Sequence, residues 1–196
     1  MLNDSVADAS RPDDANDARS LGAEKLDALG AALVEIERHV SKLGWDQPAR
    51  LFALVPTAEL LTAEPTLRGQ LHETMPGAFS SIEQDEYRSG DDLLSDLAAI
   101  SWPPSVHGAA LATERAFLTA DHEAEIPDDP AAAADFVAHH PDRQDIRLVA
   151  GALRSGETFA VARLRTNPDE LLSGPELVPA LVKALHLTFA QWDDVT

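Results

Sequence analysis

The stretch Ile146–Leu164, with the sequence IRLVAGALRSGETFAVARL, carries the clearest structural pattern in the chain. Ile146–Leu153 and Thr158–Leu164 are two apolar runs of strand length, and Arg154-Ser155-Gly156-Glu157 separates them. Ser-Gly is typical of a two-residue turn, because glycine adopts positive φ at little cost. The stretch therefore predicts an antiparallel β-hairpin.

The turn also predicts a register for this hairpin. If Arg154 pairs with Glu157, Leu148 lies opposite Arg163, and the pairing continues to the end of the ladder. The hairpin and its flanks are locally basic, with five arginines and two acids in residues 143–165. Guanidinium groups at strand ends suit a carboxylate or phosphate, so Arg147, Arg163 and Arg165 are the candidate patch for an anion or a partner. Pairing with this protein's own acids is the favoured interpretation of these arginines.

Residues 21–43 predict an amphipathic helix. Large apolar residues recur there at spacings of three and four, at Leu26, Leu29, Leu33, Ile36, Val40 and Leu43. Gly44 follows where a helix C-terminus favours glycine. The same seam is a short heptad pattern that could join two copies in a coiled coil. It covers under three heptads, which favours packing on the protein's own core.

The remaining pattern alternates short strands and helices. Arg50–Val55 reads as a buried strand ended by Pro56, and Val106–Leu118 reads as a strand that its alanines make ambiguous with helix. Residues 75–90 read as a long loop and 119–130 as an acidic loop. Helices are predicted from Thr57, from Pro65, over 91–100, from Pro130 and over 175–190. In the last one, Ser173 and Glu176 have capping-box spacing, while Pro179 either kinks the helix or marks its start.

Charge dominates the composition. The 196 residues include 34 acids and 15 bases, which gives a formal net charge of −19. Such a charge repels nucleic-acid phosphates and anionic lipids, so neither nucleic acid nor membrane is expected as a partner. The chain has no cysteine and no visible secretory signal, which favours a cytoplasmic location. Residues 1–20 predict a disordered acidic tail, and 21–196 a single domain.

Familiar catalytic frameworks are missing from the sequence. It contains no GxxxxGK[ST], GxGxxG, GxSxG or HExxH pattern. His139-His140-Pro141-Asp142, with Asp145 nearby, is the densest group of metal-ligand residue types, but adjacent histidines on an extended backbone point apart. A helix-to-strand connector is the favoured interpretation. No catalytic, cofactor-binding or metal-binding residue is assigned, and no cofactor is expected.

Four blocks of the chain resemble a family of conserved, uncharacterised actinobacterial proteins. They are WDQPARLFALVPT at 45–57, HGAAL at 107–111, RLVAG at 147–151 and GPELVP at 174–179. The resemblance spans about residues 25–190. A strong excess of Arg over Lys, typical of a GC-rich genome, agrees with it. The family has no established activity, so the resemblance transfers no catalytic residue.

The sequence therefore predicts an α+β fold: one small, mostly antiparallel sheet of about four strands, packed with N-terminal and C-terminal helices. An all-α fold is the alternative if Val106–Leu118 is helical. For function, the leading hypothesis is a non-enzymatic protein-interaction or chaperone-like, regulatory module. The alternative is an enzyme or binder of a small anionic ligand at the arginine patch. A protein partner or a homodimer is compatible with either.

Overall fold

The computed structural model describes residues 12–71, 75–90 and 92–190. Five α-helices are present in this part of the chain: α1 (Pro12–Ser41), α2 (Thr57–Ala63), α3 (Leu93–Ala98), α4 (Pro130–His139) and α5 (Pro179–Leu187). The strands are β1 (Arg50–Pro56), β2 (Phe79–Glu83), β3 (Gly108–Phe117), β4 (Gln144–Leu153), β5 (Thr158–Leu164) and β6 (Asn167–Gly174). Short 3-10 helices span Pro65–Gly69 and Ala120–Glu125.

The strands form one antiparallel sheet of six, in the order β2-β1-β3-β4-β5-β6. The α+β class is confirmed, and the strand at β3 excludes the all-α alternative. The expected number of about four strands is wrong, because both edge strands escaped prediction. β2 lies inside the predicted loop 75–90, and β6 has a proline and mostly exposed polar side chains. Edge strands bury little, so their sequences lack a strong apolar pattern.

The β4–β5 hairpin is confirmed, but its predicted register is wrong by one residue. Leu153, rather than Arg154, pairs with Glu157, and Gly156 donates its N–H to the Leu153 carbonyl at 3.0 Å. The loop therefore has three residues, and its last one, Gly156, has φ +110°. A three-residue hairpin with a left-handed glycine is the usual alternative to the two-residue turn. As a result Arg147 lies opposite Arg163.

Helix α1 covers one face of the sheet. Leu29, Leu33, Ile36 and Val40 are buried against apolar side chains of β1, β3, β4 and β5. The apolar face of α1 thus packs on the sheet of the same chain, which is the interpretation that the sequence favoured over a coiled coil. Leu43, its last member, is exposed. The helix begins at Pro12, inside the predicted tail, while residues 1–11 of that tail lie outside the described residues.

Helices α3 and α5 cover part of the opposite face. Leu97, Leu181 and Leu185 pack there on alanine-rich stretches of β3, β4 and β5. Pro179 marks the start of α5, and the capping box predicted from Ser173 is wrong, because Val178 is the N-cap residue and has no side-chain cap. None of the helices among the described residues is both long and apolar enough to cross a bilayer.

A glycine sets how closely α1 approaches the sheet. A Cβ at Gly151 would lie 2.7 Å from Leu33 Cδ2 and 3.0 Å from Leu29 Cδ1. We expect Gly151→Ala to lower the free energy of unfolding by about 1–3 kcal/mol in urea denaturation, because overpacking displaces buried leucines. Gly174→Ala is the matched control, since a Cβ there meets nothing within 4 Å. Equal stability of the two variants would contradict this close contact.

Candidate functional site

The predicted arginine patch comes together on the α1 face of the sheet. Arg147 and Arg163 are direct neighbours across the β4–β5 ladder, where like charges repel. Glu37 of α1 reaches between them. Its two carboxylate oxygens accept from Arg163 Nε at 2.7 Å and Arg163 Nη2 at 2.9 Å, while Arg147 Nη1 lies 3.9 Å away. Glu37 and Arg147 are each only 1% exposed, so this is a buried ion cluster.

A second carboxylate completes the pairing of Arg147. Glu114 Oε1 accepts from Arg147 Nη2 at 2.8 Å and from Arg147 Nε at 3.1 Å. Glu114 Oε2 accepts the backbone N–H groups of Asp46 and Gln47, at 2.6 and 3.2 Å. Arg147 also donates to the Gly44 carbonyl. The loop that follows α1 is therefore attached to the sheet through the same two side chains.

Trp45 and Arg165 form the outer part of the patch. The Trp45 ring centroid lies 4.4 Å from Arg147 Cζ and 5.5 Å from Arg165 Cζ, both within cation–π range. The side chain of Arg165 is 43% exposed and pairs with Asp145 at 3.3 Å and Asp46 at 3.6 Å. Hydrogen bonding to Glu37 raises the pKa of Arg163, so its positive charge persists at every physiological pH.

All three predicted arginines are thus engaged by carboxylates of the same chain. Arg143 also pairs with Asp145, at 3.3 Å. The cavity beside Trp45 and Arg165 has a volume of about 200 Å³, below the usual range for small-molecule sites. Binding of an external anion here stays a prediction, and it would require Arg165 to exchange a carboxylate partner for the ligand.

Histidines from two segments meet beside the start of β4. His139 faces outward toward Asp135, whereas His140 and Asp142 approach His122, with potential ligand atoms within 4.8 Å of one another. The Asp142 N–H donates to His140 Nδ1 at 3.1 Å, so a neutral His140 ring carries its proton on Nε2. His122 has carboxylates near both nitrogens, Glu125 at 3.1 Å and Asp142 at 3.5 Å. The spacing of His122, His140 and Asp142 could hold a metal ion, so the expectation of no metal-binding residue stays a prediction.

An apolar groove lies on the α3/α5 face of the sheet, beside the β2 edge. Its volume is about 600 Å³. Its floor is Ala53, Val55 and Ile82, one wall is α2 with Leu60 and Ala63, and the other is the segment 101–106 with Trp102, Pro103 and Val106. Ile82 is 41% exposed on this floor. The groove was not predictable from the sequence, because the polar strand β2 that forms its edge has no strong apolar pattern.

The far wall of the groove is held rigidly. Trp102 Nε1 donates to Thr188 Oγ1 at 2.9 Å, and that hydroxyl donates to the Leu185 carbonyl at 2.6 Å. Both Trp102 and Thr188 are buried. On the opposite wall the exposed Glu59 carboxylate lies 3.6 Å from His107. The groove therefore combines an apolar floor with one carboxylate, that of Glu59, on its wall.

A family model described as PPA1309-like protein matches residues 29–190. The chain belongs to this family. The match includes all six strands and α2 to α5, so both the arginine cluster and the groove lie within it. The expected resemblance to an uncharacterised family is thereby confirmed. No curated protein and no solved structure shows a significant match to the chain.

The arginine cluster makes a testable contribution to stability. We expect Arg147→Met to lower the free energy of unfolding by about 3–5 kcal/mol, because Glu37 and Glu114 lose a buried counter-charge. Arg165→Met is the control, and its exposed pairs predict a loss below about 1 kcal/mol. Urea denaturation followed by circular dichroism measures both. Similar losses in the two variants would show that the buried cluster has no special role.

Proposed function

We propose that this chain is a non-enzymatic protein-interaction module that holds an extended, cationic segment of a partner in the groove beside β2. The observation that carries the proposal is the open apolar floor of Ala53, Val55 and Ile82. Contiguous apolar surface of this kind in a water-exposed groove is typical of recognition sites. The role is chaperone-like in the sense that it would cover apolar side chains of the partner.

The shape of the groove favours an extended segment. β2 is an edge strand, hydrogen-bonded to β1 on one side, so its other backbone edge can pair with an added strand. Side chains of such a strand alternate between the two faces of the sheet. Those on the α3/α5 face would reach the floor between α2 and Trp102. The rigid wall avoids an ordering cost on binding.

The charge of the partner follows from electrostatic complementarity. The chain has a net charge of −19, and Glu59 lies on the rim of the groove. Arg147 and Arg163, which could oppose this field, are paired within the protein. A segment with apolar anchors flanked by Lys or Arg is therefore attracted, whereas an acidic segment is repelled.

The proposal also includes the cellular location and the source of the protein. A cytoplasmic location is supported by the lack of cysteine. Twelve Arg against three Lys support an actinobacterial, GC-rich source. The alternative function, a small anion at Arg147, Arg163 and Arg165, has less support, because binding would have to compete with Glu37, Glu114 and Asp145 for the guanidinium groups.

Fluorescence anisotropy with defined peptides tests the proposal. The probe is a labelled nonamer with two leucines at alternate central positions and arginines at both ends. We expect it to bind, and the same nonamer with glutamates in place of the arginines to bind at least tenfold more weakly. Ile82→Lys in the groove is expected to weaken binding of the basic nonamer at least tenfold, because it places a charge on the apolar floor.

Leu172→Lys is the matched control for Ile82→Lys. Leu172 lies on the opposite edge strand, β6, and is 37% exposed. Both substitutions add one positive charge to an edge strand, so they alter the long-range field equally. We expect Leu172→Lys to bind the basic nonamer within about twofold of the unchanged protein. Absence of binding, or equal loss in both variants, would refute the groove as the docking site.

A further inference from the structure

A second cleft lies on the α3/α5 face, at the end of the sheet away from the hairpin loop. Its volume is about 490 Å³, within the range of small-molecule sites. Thr113, Arg115 and Leu148 form its floor, the start of α3 forms one wall and residues 178–181 form the other. The cleft therefore opens between the first turns of α3 and α5.

The walls of this cleft are apolar. Leu93, Leu148 and Leu181 are buried members of the core that present part of their surface to it. Val178 adds a partly buried apolar side chain, and the exposed Leu94 lies at the same site. A surface of this kind accepts an aliphatic chain or an aromatic ring, because filling it removes apolar area from water.

Two side chains with hydrogen-bond donors lie on the floor of the cleft. Thr113 is 4% exposed and lines the cleft, where its hydroxyl can donate to a ligand. Arg115 donates once, to the Glu114 carbonyl at 3.1 Å, and within the described part of the chain no carboxylate pairs with it. Side chains alternate along a strand, so Glu114 points to the α1 face of the sheet, where the ion cluster lies, and Arg115 points to the α3/α5 face. A hydroxyl and a guanidinium on the same face of β3 can both donate to one ligand in the cleft.

Among the described residues Asp92 is the acid that lines this cleft, and it already has partners. Its carboxylate accepts the N–H groups of Leu94 and Ser95, at 3.1 and 3.3 Å, and the Ser95 hydroxyl at 2.6 Å. The bonds from Ser95 hold the pKa of Asp92 below its usual range. Asp92 therefore stays charged as the N-cap of α3. Its charge and the acidic field of the protein disfavour a multiply charged anion such as phosphate.

We propose that this cleft binds a small monocarboxylate with an apolar body. The carboxylate lies on the Arg115 guanidinium, which can donate two parallel hydrogen bonds, and accepts a further bond from Thr113. The apolar body extends over Leu148 toward Leu93 and Leu181. This ligand class satisfies both donors and covers the apolar walls, while it carries a single negative charge.

Isothermal titration calorimetry with decanoate, kept below its micelle concentration, tests the assignment on the full chain. We expect saturable binding with one site per chain. Decan-1-ol, which lacks the charge, and acetate, which lacks the apolar body, should each bind at least tenfold more weakly. Arg115→Gln should reduce decanoate affinity at least tenfold, and Arg115→Lys should restore part of it. Thr113→Val should weaken binding with the fold unchanged.

Two control variants separate this site from other surfaces. Arg88→Gln removes an arginine that donates to backbone carbonyls outside the cleft, and it should bind decanoate normally. Ile82→Lys should also bind decanoate normally, so failure of the peptide groove and failure of this cleft are distinguishable. The proposal is overturned if decanoate does not bind, if decan-1-ol binds equally well, or if Arg115→Gln and Arg88→Gln have the same affinity.

Discussion

The buried carboxylate of Glu37 is the constraint on which the arrangement of α1 depends. The β4–β5 register places Arg147 directly opposite Arg163, and two guanidinium groups on paired residues need a counter-charge. Glu37 supplies it from α1, and Glu114 supplies the second from β3. Because a buried charge is tolerated only with partners, the four side chains fix both the rotation of α1 and the position of the loop that follows it.

The two faces of the sheet differ because their helices differ in length. Helix α1 has 30 residues, whereas α3 and α5 have six and nine. At about 1.5 Å per residue α5 is about 14 Å long, while six strands spaced by about 4.8 Å span about 24 Å. Short helices over this width leave parts of the sheet uncovered. The groove beside β2 and the cleft at Arg115 are those parts, and both are on the α3/α5 face.

Elements that bury a large apolar surface were predictable from the sequence, and those that depend on edges or distant partners were not. The α1 periodicity and the two apolar runs of the hairpin identified their elements. Phe79–Glu83 and Asn167–Gly174 escaped because edge strands keep polar, exposed side chains. The arginine patch could be named, but Glu37 precedes Arg163 by 126 residues. No local pattern in the sequence indicates which acid pairs with an arginine that is so distant in the chain. The one-residue shift of the hairpin register also changed which residues lie opposite the arginines.

Two neighbouring residues of β3 lie on opposite faces of the sheet, and this separates one guanidinium group from the ion cluster. Glu114 and Arg115 are adjacent in sequence, yet the strand sends the first into the ion cluster and the second to the opposite face. Arg143 and Arg165 pair with Asp145 of the same stretch, whereas Arg147 and Arg163 pair with Glu114 and Glu37 from elsewhere in the chain. Arg115, in contrast, has no carboxylate partner among the described residues, and it lines the cleft between α3 and α5.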